Sequence, residues 1–331
     1  MIEARFYEKL DDATRCLLCP RRCRIKPGTV GVCRTRKNVD GTLYAIGYGE
    51  YTSLALDPIE KKPLYHFFPG STILSIGTRG CNLLCRFCQN WEISQGDPPT
   101  RRIEPGTLVG MARKHAGDMG CIGIAYTYSE PLVWYEFVFD TARLAREAGM
   151  KNVIVTNGEI NEEPLAELLP YIDAMNIDVK GFTAEFYRRI CGGELEPVLR
   201  TVERAHGKCH IELTNLIIPT LNDSPDEISN LVDWVASVGT EIPLHFSRYF
   251  PQYKLDIPPT PISTLRRAMD IAREKLKYVY IGNVPGGDGN DTYCYNCGQK
   301  VIERRGFAVV GYHMENGECD NCGAKIHLVE E

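Results

Sequence analysis

The chain is predicted to be an α/β protein: an incomplete, barrel-like parallel sheet with a small cysteine-rich module at each end. Three observations predict this. Short β-branched runs alternate with amphipathic helical segments between residues 71 and 283. The cysteines fall into separate groups of four, three and four, the outer two lying outside that alternation. The length of 331 residues suits one barrel-sized domain with small appendages.

The strands are expected in order as STILSIGT (71–78), CIGIAYT (121–127), KNVIVTN (151–157), YIDAMNIDVK (171–180), CHIELTNLIIP (209–219), IPLHFSRY (242–249) and KYVYIGN (277–283). Between them lie helical segments: EPGTLVGMARKHAG, EPLVWYEFVFDTARLAREAG, NEEPLAELLP, EPVLRTVERAHG, SPDEISNLVDWVASVG and STLRRAMDIAREKL. Ser224 is placed to cap its helix, with Pro225 at the first helical position and Glu227 three residues on. Gly149 and Gly239 fit helix C-termini. Strand–helix alternation requires right-handed crossovers and a parallel sheet, with an open doubly wound sheet as the alternative topology. Residues 1–70 break the alternation and read as an N-terminal module and lead-in. Residues 71–283 form the barrel, and 284–331 a linker and tail module, with GNVPGGDGND (282–291) as the Gly-rich link.

A net charge of −5 and a pI near 5.9 argue against nucleic-acid binding, which leaves a basic footprint. The N-terminus lacks the apolar region of a signal peptide, and no run approaches the roughly 18 apolar residues of a membrane span. A cytoplasmic location is expected, without membrane attachment. Reduced thiols there make the fourteen cysteines metal ligands rather than disulfides. Cys121, Cys191 and Cys209 stand alone in sequence and read as small buried hydrophobes.

In the tail, Cys294, Cys297, Cys319 and Cys322 make two C-x2-C knuckles, each followed by glycine. This is the zinc-ribbon arrangement, and a structural zinc is expected, with rubredoxin-like iron or a metal-free knuckle as alternatives. Near the N-terminus, Cys16, Cys19, Cys23 and Cys33 follow C-x2-C-x3-C-x9-C. Zinc and a second iron–sulfur cluster both accept four thiolates, and the spacing does not choose between them; four reduced thiols without metal are the third reading. The central group, Cys81, Cys85 and Cys88, has three cysteines only. It follows the first barrel strand, at the rim where such barrels place active sites. Three protein ligands leave one metal position open, as catalytic sites do. The alternative is a structural zinc with a distant fourth ligand, His66 or one of the isolated cysteines.

The run CNLLCRFC, C-x3-C-x2-C with Phe87 before the last cysteine, resembles the signature of the radical S-adenosylmethionine (radical SAM) superfamily. The resemblance implies a partial (β/α)6-type TIM-like barrel and a [4Fe–4S] cluster on Cys81, Cys85 and Cys88. It implies that the amino and carboxylate groups of S-adenosylmethionine chelate the fourth iron, and that an electron donor supplies the cluster. One electron then cleaves the sulfonium to a 5′-deoxyadenosyl radical that abstracts hydrogen. Other strand ends supply candidate cofactor contacts. Glu130 in YTYSEPL occupies the place of a Gly-Gly-Glu-type motif, the glycines being replaced by Tyr128 and Ser129. Thr156 and Asn157 end VTN, and Asp178 and Lys180 form a D-x-K pair like that of glycyl-radical-enzyme activases. His245 and Arg248 reach the rim if their strand ends there.

Over about 70–285 the chain is similar to pyruvate formate-lyase activating enzymes. The whole layout, from CLLCPRRC and KKPLYHFFPGS to HFSRYFPQY and the tail knuckles, is similar to the AmmeMemoRadiSam-system radical SAM proteins. That likeness implies partnership with Memo-like proteins. The resemblance allows a radical enzyme on an unidentified protein or small molecule, an activase for a partner enzyme, or a zinc-ribbon interaction protein whose barrel no longer reacts.

Overall fold

The computed structural model describes residues 1–286 and 289–330. The predicted linker therefore falls partly outside them, at 287 and 288. An eight-stranded sheet organises the chain: β1 (Ser53–Pro58), β2 (Thr72–Gly77), β3 (Cys121–Tyr126), β4 (Lys151–Thr156), β5 (Ala174–Asp178), β6 (His210–Ile217), β7 (Leu244–Arg248) and β8 (Val279–Gly282). The strands stand side by side in chain order. From β2 to β8 every pairing is parallel, whereas β1 runs antiparallel to β2. β1 and β8 do not pair, so the barrel has an open seam. The seven predicted strands are thus present. β1 is an addition from the lead-in, and its partly exposed pattern follows from lying at an edge.

The crossovers are α1 (Pro105–Lys114), α2 (Tyr135–Glu147), α3 (Glu162–Leu168), α4 (Leu195–Ala205), α5 (Pro225–Val238) and α6 (Ile262–Arg273). Their apolar residues repeat at helical spacing and face the sheet, as Leu108, Val109 and Ala112 do in α1. Ser224 Oγ accepts from the Glu227 amide at 3.2 Å, as expected of an N-cap. The Glu227 carboxylate instead accepts from the Phe182 amide (2.7 Å), tying α5 to the loop after β5. Gly149 takes a left-handed φ of 72°. Gly239 also ends its helix, capping α5 with an extended φ of −176° while its amide donates to the Val235 carbonyl.

The N-terminal residues form two three-stranded antiparallel sheets without a core of their own. Ala4, Leu18, Ile25 and Leu43 belong to the same buried cluster as the barrel interior. The tail is a hairpin, β9 (Lys300–Arg305) and β10 (Ala308–Tyr312). It buries Val301, Ile302 and Ile326 against Tyr65, Tyr278 and Tyr280. Arg304, with a fully buried side chain, pins it to the barrel. It donates to the Tyr65 carbonyl (2.7 Å) and faces Glu60 at 3.5 Å. Val329 exchanges backbone bonds with His66 and Phe68. No described helix is long and apolar enough to cross a membrane.

Candidate active site

Parallel strands aim their C-terminal ends at one rim, and the loops there enclose a cavity of about 420 Å³. Cys81, Cys85, Cys88, Phe87, Glu130, Thr156, Asn157, Asp178 and Lys180 all line it. Four elements thus bring together every residue assigned to the cofactor site.

The cysteine loop is held from several sides. A π-helical turn, Tyr187–Cys191, leaves carbonyls without intrahelical partners. Those of Cys191 and Ile190 accept from the Leu84 (2.8 Å) and Arg86 (3.0 Å) amides. Donors surround the sulfurs: the Leu83 amide lies 3.3 Å from Cys81 Sγ, Asn157 Nδ2 3.5 Å from the same sulfur, and Ser94 Oγ 3.1 Å from Cys88 Sγ. Burial first, then the neighbouring Glu130 charge, pushes the Cys81 thiol well up. For Cys85 the main cause is a hydrogen bond with Cys191. The sequence-isolated Cys191 is therefore a direct neighbour of the triad. Metal coordination is what ionises such thiols.

Glu130 is held by three donors of the protein, two on Oε1 and one on Oε2. Its carboxylate accepts from the Leu132 amide (3.0 Å), Thr156 Oγ1 (2.6 Å) and the Asn157 amide (2.8 Å). Burial nonetheless raises its pKa to about 7. Thr156 Oγ1 also accepts from Gly158 (3.0 Å), and Asn157 Nδ2 donates to Asn82 Oδ1 (2.9 Å). These two side chains are thus tied into the frame around Glu130 and Cys81. Lys180 Nζ lies 2.9 Å from Asp178. Burial pulls its pKa down, but Asp178 and the Cys85 sulfur prevail and hold it well above the ordinary value. It stays a cation. Phe87 is buried, its ring centroid 6.2 Å from that of Phe186.

Tyr128 explains the departure from the Gly-Gly-Glu pattern. Its φ of +71° is left-handed, a conformation that favours glycine and costs other residues roughly 1–2 kcal/mol. Here the ring is anchored: its hydroxyl donates to Asp57 at 2.6 Å, and Lys62 Nζ lies 4.7 Å above its face. Lys62, buried, pairs with Asp57 at 2.7 Å. Lys61, Lys62, Ser247 and Asn283 also line the cavity and were not assigned from sequence. The KKP run was the available signal for the lysines, without a strand end to place it.

His66, His245 and Arg248 lie elsewhere. His66 spends both ring nitrogens, on Tyr280 Oη (2.6 Å) and the His327 carbonyl (2.7 Å), and so is not a fourth ligand. His245 is buried against Glu212 at 2.6 Å, because it falls near the start of β7 rather than its rim end. Arg248 turns aside to the Thr260 carbonyl (2.8 Å).

The two other cysteine groups also converge. Tail sulfurs approach at 3.6 Å (Cys294–Cys322) and 3.7 Å (Cys297–Cys319), and all four lie within 4.8 Å of one another. Tetrahedral bonds of about 2.3 Å put thiolates roughly 3.8 Å apart around one zinc ion, so the residues fit such an ion. The N-terminal four line one small pocket beside the central loop.

A parallel barrel with a three-cysteine rim loop defines a class. Residues 75–235 match the family model described as the radical SAM superfamily, and the chain belongs to that superfamily. An uncharacterized protein of Methanocaldococcus jannaschii, MJ0808, is 51% identical over 339 residues, covering 99% of this chain and 100% of that one. The pyruvate formate-lyase-activating enzyme of Clostridium pasteurianum is 28% identical over 166 residues, 48% of this chain and 68% of the enzyme. Among solved structures, Streptococcus suis SuiB bound to S-adenosylmethionine aligns with a TM-score of 0.53 at 14% identity, covering 74% of this chain and 61% of SuiB. This last likeness speaks for the fold. The chain is a radical SAM enzyme, and that family implies a [4Fe–4S] cluster and S-adenosylmethionine.

Proposed function

We propose that Cys81, Cys85 and Cys88 hold the [4Fe–4S] cluster and leave one iron for S-adenosylmethionine. When bound, this pair supplies a 5′-deoxyadenosyl radical that abstracts hydrogen from a substrate. One observation carries the reading. The three thiols share their cavity with Glu130, Asp178 and Lys180, while no histidine or further cysteine lines it among the described residues. Lys180, kept cationic by Asp178, would hold the carboxylate of S-adenosylmethionine, and Glu130 would offer negative charge to its amino group. Asn157 and the Leu83 amide donate to Cys81 and stabilise its thiolate. The tail cysteines hold a structural zinc, filling all four positions and leaving no room for chemistry.

A second reading is favoured by the open seam. A groove of about 670 Å³ runs beside the cavity and shares Lys61, Ser247 and Asn283 with it. An extended segment of a partner protein can reach the chamber along it, as an activase requires. The curated relatives include the 4-hydroxyphenylacetate decarboxylase activating enzyme of Clostridium scatologenes, 25% identical over 116 residues.

Anaerobic reconstitution tests the first reading. A brown protein that, once reduced, converts S-adenosylmethionine to methionine and 5′-deoxyadenosine is expected, with both properties lost in Cys85→Ala. A colourless wild type after reconstitution would refute it. Deuterated candidate substrates that label 5′-deoxyadenosine identify the hydrogen donor. An oxygen-sensitive glycyl radical on a partner, seen by EPR, separates the activase.

A further inference from the structure

We infer that Lys61 and Lys62 form an anion subsite at the inner end of the cavity, which takes a carboxylate or phosphate group of a small substrate. The inference rests on the proposed function, in which this cavity is the chamber of the radical chemistry. Both lysines line it, and the cofactor reading uses neither. They come from the turn that follows β1. Because β1 runs antiparallel, Ser53 lies beside Gly77 at the rim, and Pro58 beside Thr72 at the start of β2. The turn therefore enters from the end of the barrel away from the cysteine loop, which follows Gly77. An anion held there leaves the rest of its molecule between the lysines and the cysteines.

The charges around Asp57 do not balance. Its carboxylate accepts from Lys61 Nζ (2.9 Å), Lys62 Nζ (2.7 Å) and the Tyr128 hydroxyl (2.6 Å). Two cations share one carboxylate, so the group keeps one positive charge in excess. The Lys61 side chain is 45% exposed, whereas that of Lys62 is 2% exposed. A buried ammonium is costly unless it is paired and hydrogen-bonded. It has three N–H donors, and among the described residues Asp57 is its hydrogen-bond acceptor. The face of the Tyr128 ring, 4.7 Å away, adds a weaker contact. Burial prevails over Asp57 and pulls the Lys62 pKa down. An anion in the cavity would bring the charge and the acceptors that Asp57, shared three ways, does not.

The neighbouring acids are engaged elsewhere. Glu130 serves three donors beside the cysteine loop. Asp178 pairs with Lys180 at 2.9 Å, and Glu60, the residue before Lys61, faces Arg304 at 3.5 Å. Ser247 lines both the cavity and the adjoining groove, as Lys61 does, and offers a neutral hydroxyl donor on that side. The subsite thus selects a substrate by a negative group set apart from its reacting carbon.

Equilibrium dialysis of the full-length chain against radiolabelled inorganic phosphate and radiolabelled propionate tests the subsite. It is run before reconstitution, and again on the reconstituted protein with S-adenosylmethionine. Wild type is expected to bind at least one of the two anions saturably in both states, and the one held more tightly names the group. Lys62→Gln should weaken that binding about ten- to a hundredfold, the size of a lost charged hydrogen bond. Should Lys62→Gln fail to fold, Lys61→Glu decides: at a half-exposed position it turns the excess charge from positive to negative and should abolish binding. Binding that survives these substitutions, or that S-adenosylmethionine displaces, overturns the inference, as does a wild type that holds neither anion. A reconstituted wild type that stays colourless refutes the proposed function by itself, and dialysis of the unreconstituted chain still decides the subsite.

Discussion

Arg304→Ala should release the tail hairpin from the barrel, more so at pH 8 than at pH 5. The guanidinium donates to the Asn290 carbonyl (3.1 Å), Thr292 Oγ1 (2.8 Å) and the Tyr65 carbonyl (2.7 Å), and lies over the Tyr65 ring at 4.4 Å. Its removal leaves the buried Glu60 carboxylate with the Gly70 amide (2.9 Å) as its hydrogen-bond donor. Breaking one partner of a buried ion pair costs roughly 3–5 kcal/mol. That is about two to three and a half powers of ten in the opening equilibrium. Burial already raises the Glu60 pKa above its ordinary 4.5, with Arg304 opposing. Without Arg304 it rises further. A carboxyl whose folded pKa lies above the unfolded value loses stability as pH climbs between the two. The deficit is therefore smaller at the lower pH, toward which Glu60 takes a proton, and larger at the higher. Amide hydrogen exchange of β9 and β10, corrected for intrinsic rates and compared with β4, measures it. Unchanged exchange, or equal acceleration at both pH values, would refute the reasoning. Glu60→Leu with Arg304→Met should recover most of the loss.

Four further outcomes follow from the site. Asn157→Ala removes a donor to Cys81 Sγ and should lower the midpoint potential of the central cluster in an EPR-monitored redox titration while iron content is kept. Tyr128→Phe loses the bond to Asp57 and should cost about 1 kcal/mol by chemical denaturation, whereas Tyr128→Gly should recover part of that loss through relief of the left-handed φ. Glu130 and Glu159 are both raised to about 7 by burial. Folded-state stability should therefore fall as pH rises from about 4.5 to 7 and then level off, and Glu130→Gln should flatten that slope. Cys191→Ala should leave the iron count unchanged; a loss of iron would make Cys191 a ligand rather than a packing neighbour of Cys85.

Local pattern revealed the parallel sheet because strands buried on both faces read as continuous apolar runs, as in Val153–Val155. β1 escaped because an edge strand is half exposed and its short Leu54–Leu56 run, ended by Asp57 and Pro58, lies in the lead-in outside the strand–helix alternation. The cysteine groups were legible from spacing, since ligands for one site must lie close in the chain or in the fold. Roles assigned to Thr156 and Asn157 from chemistry alone missed their bonds to Glu130 and Asn82, because sequence does not say which polar groups satisfy each other first. His245 shows the same limit: its position along β7, not its residue type, put it against Glu212. Nor does sequence reveal that Cys191, over a hundred positions away, lies beside Cys85.

The unpaired edges of β1 and β8 change what this enzyme can select. A closed barrel admits only what fits through its mouth, so it sorts by bulk. A chamber with a side door flanked by Lys61, Ser247 and Asn283 sorts by reach instead. On the activase reading, the reacting atom would enter while the rest of its molecule stays outside. The tail turn at Arg305–Phe307 borders that door, so a change in how the hairpin sits alters which molecules come near without touching the chemistry inside.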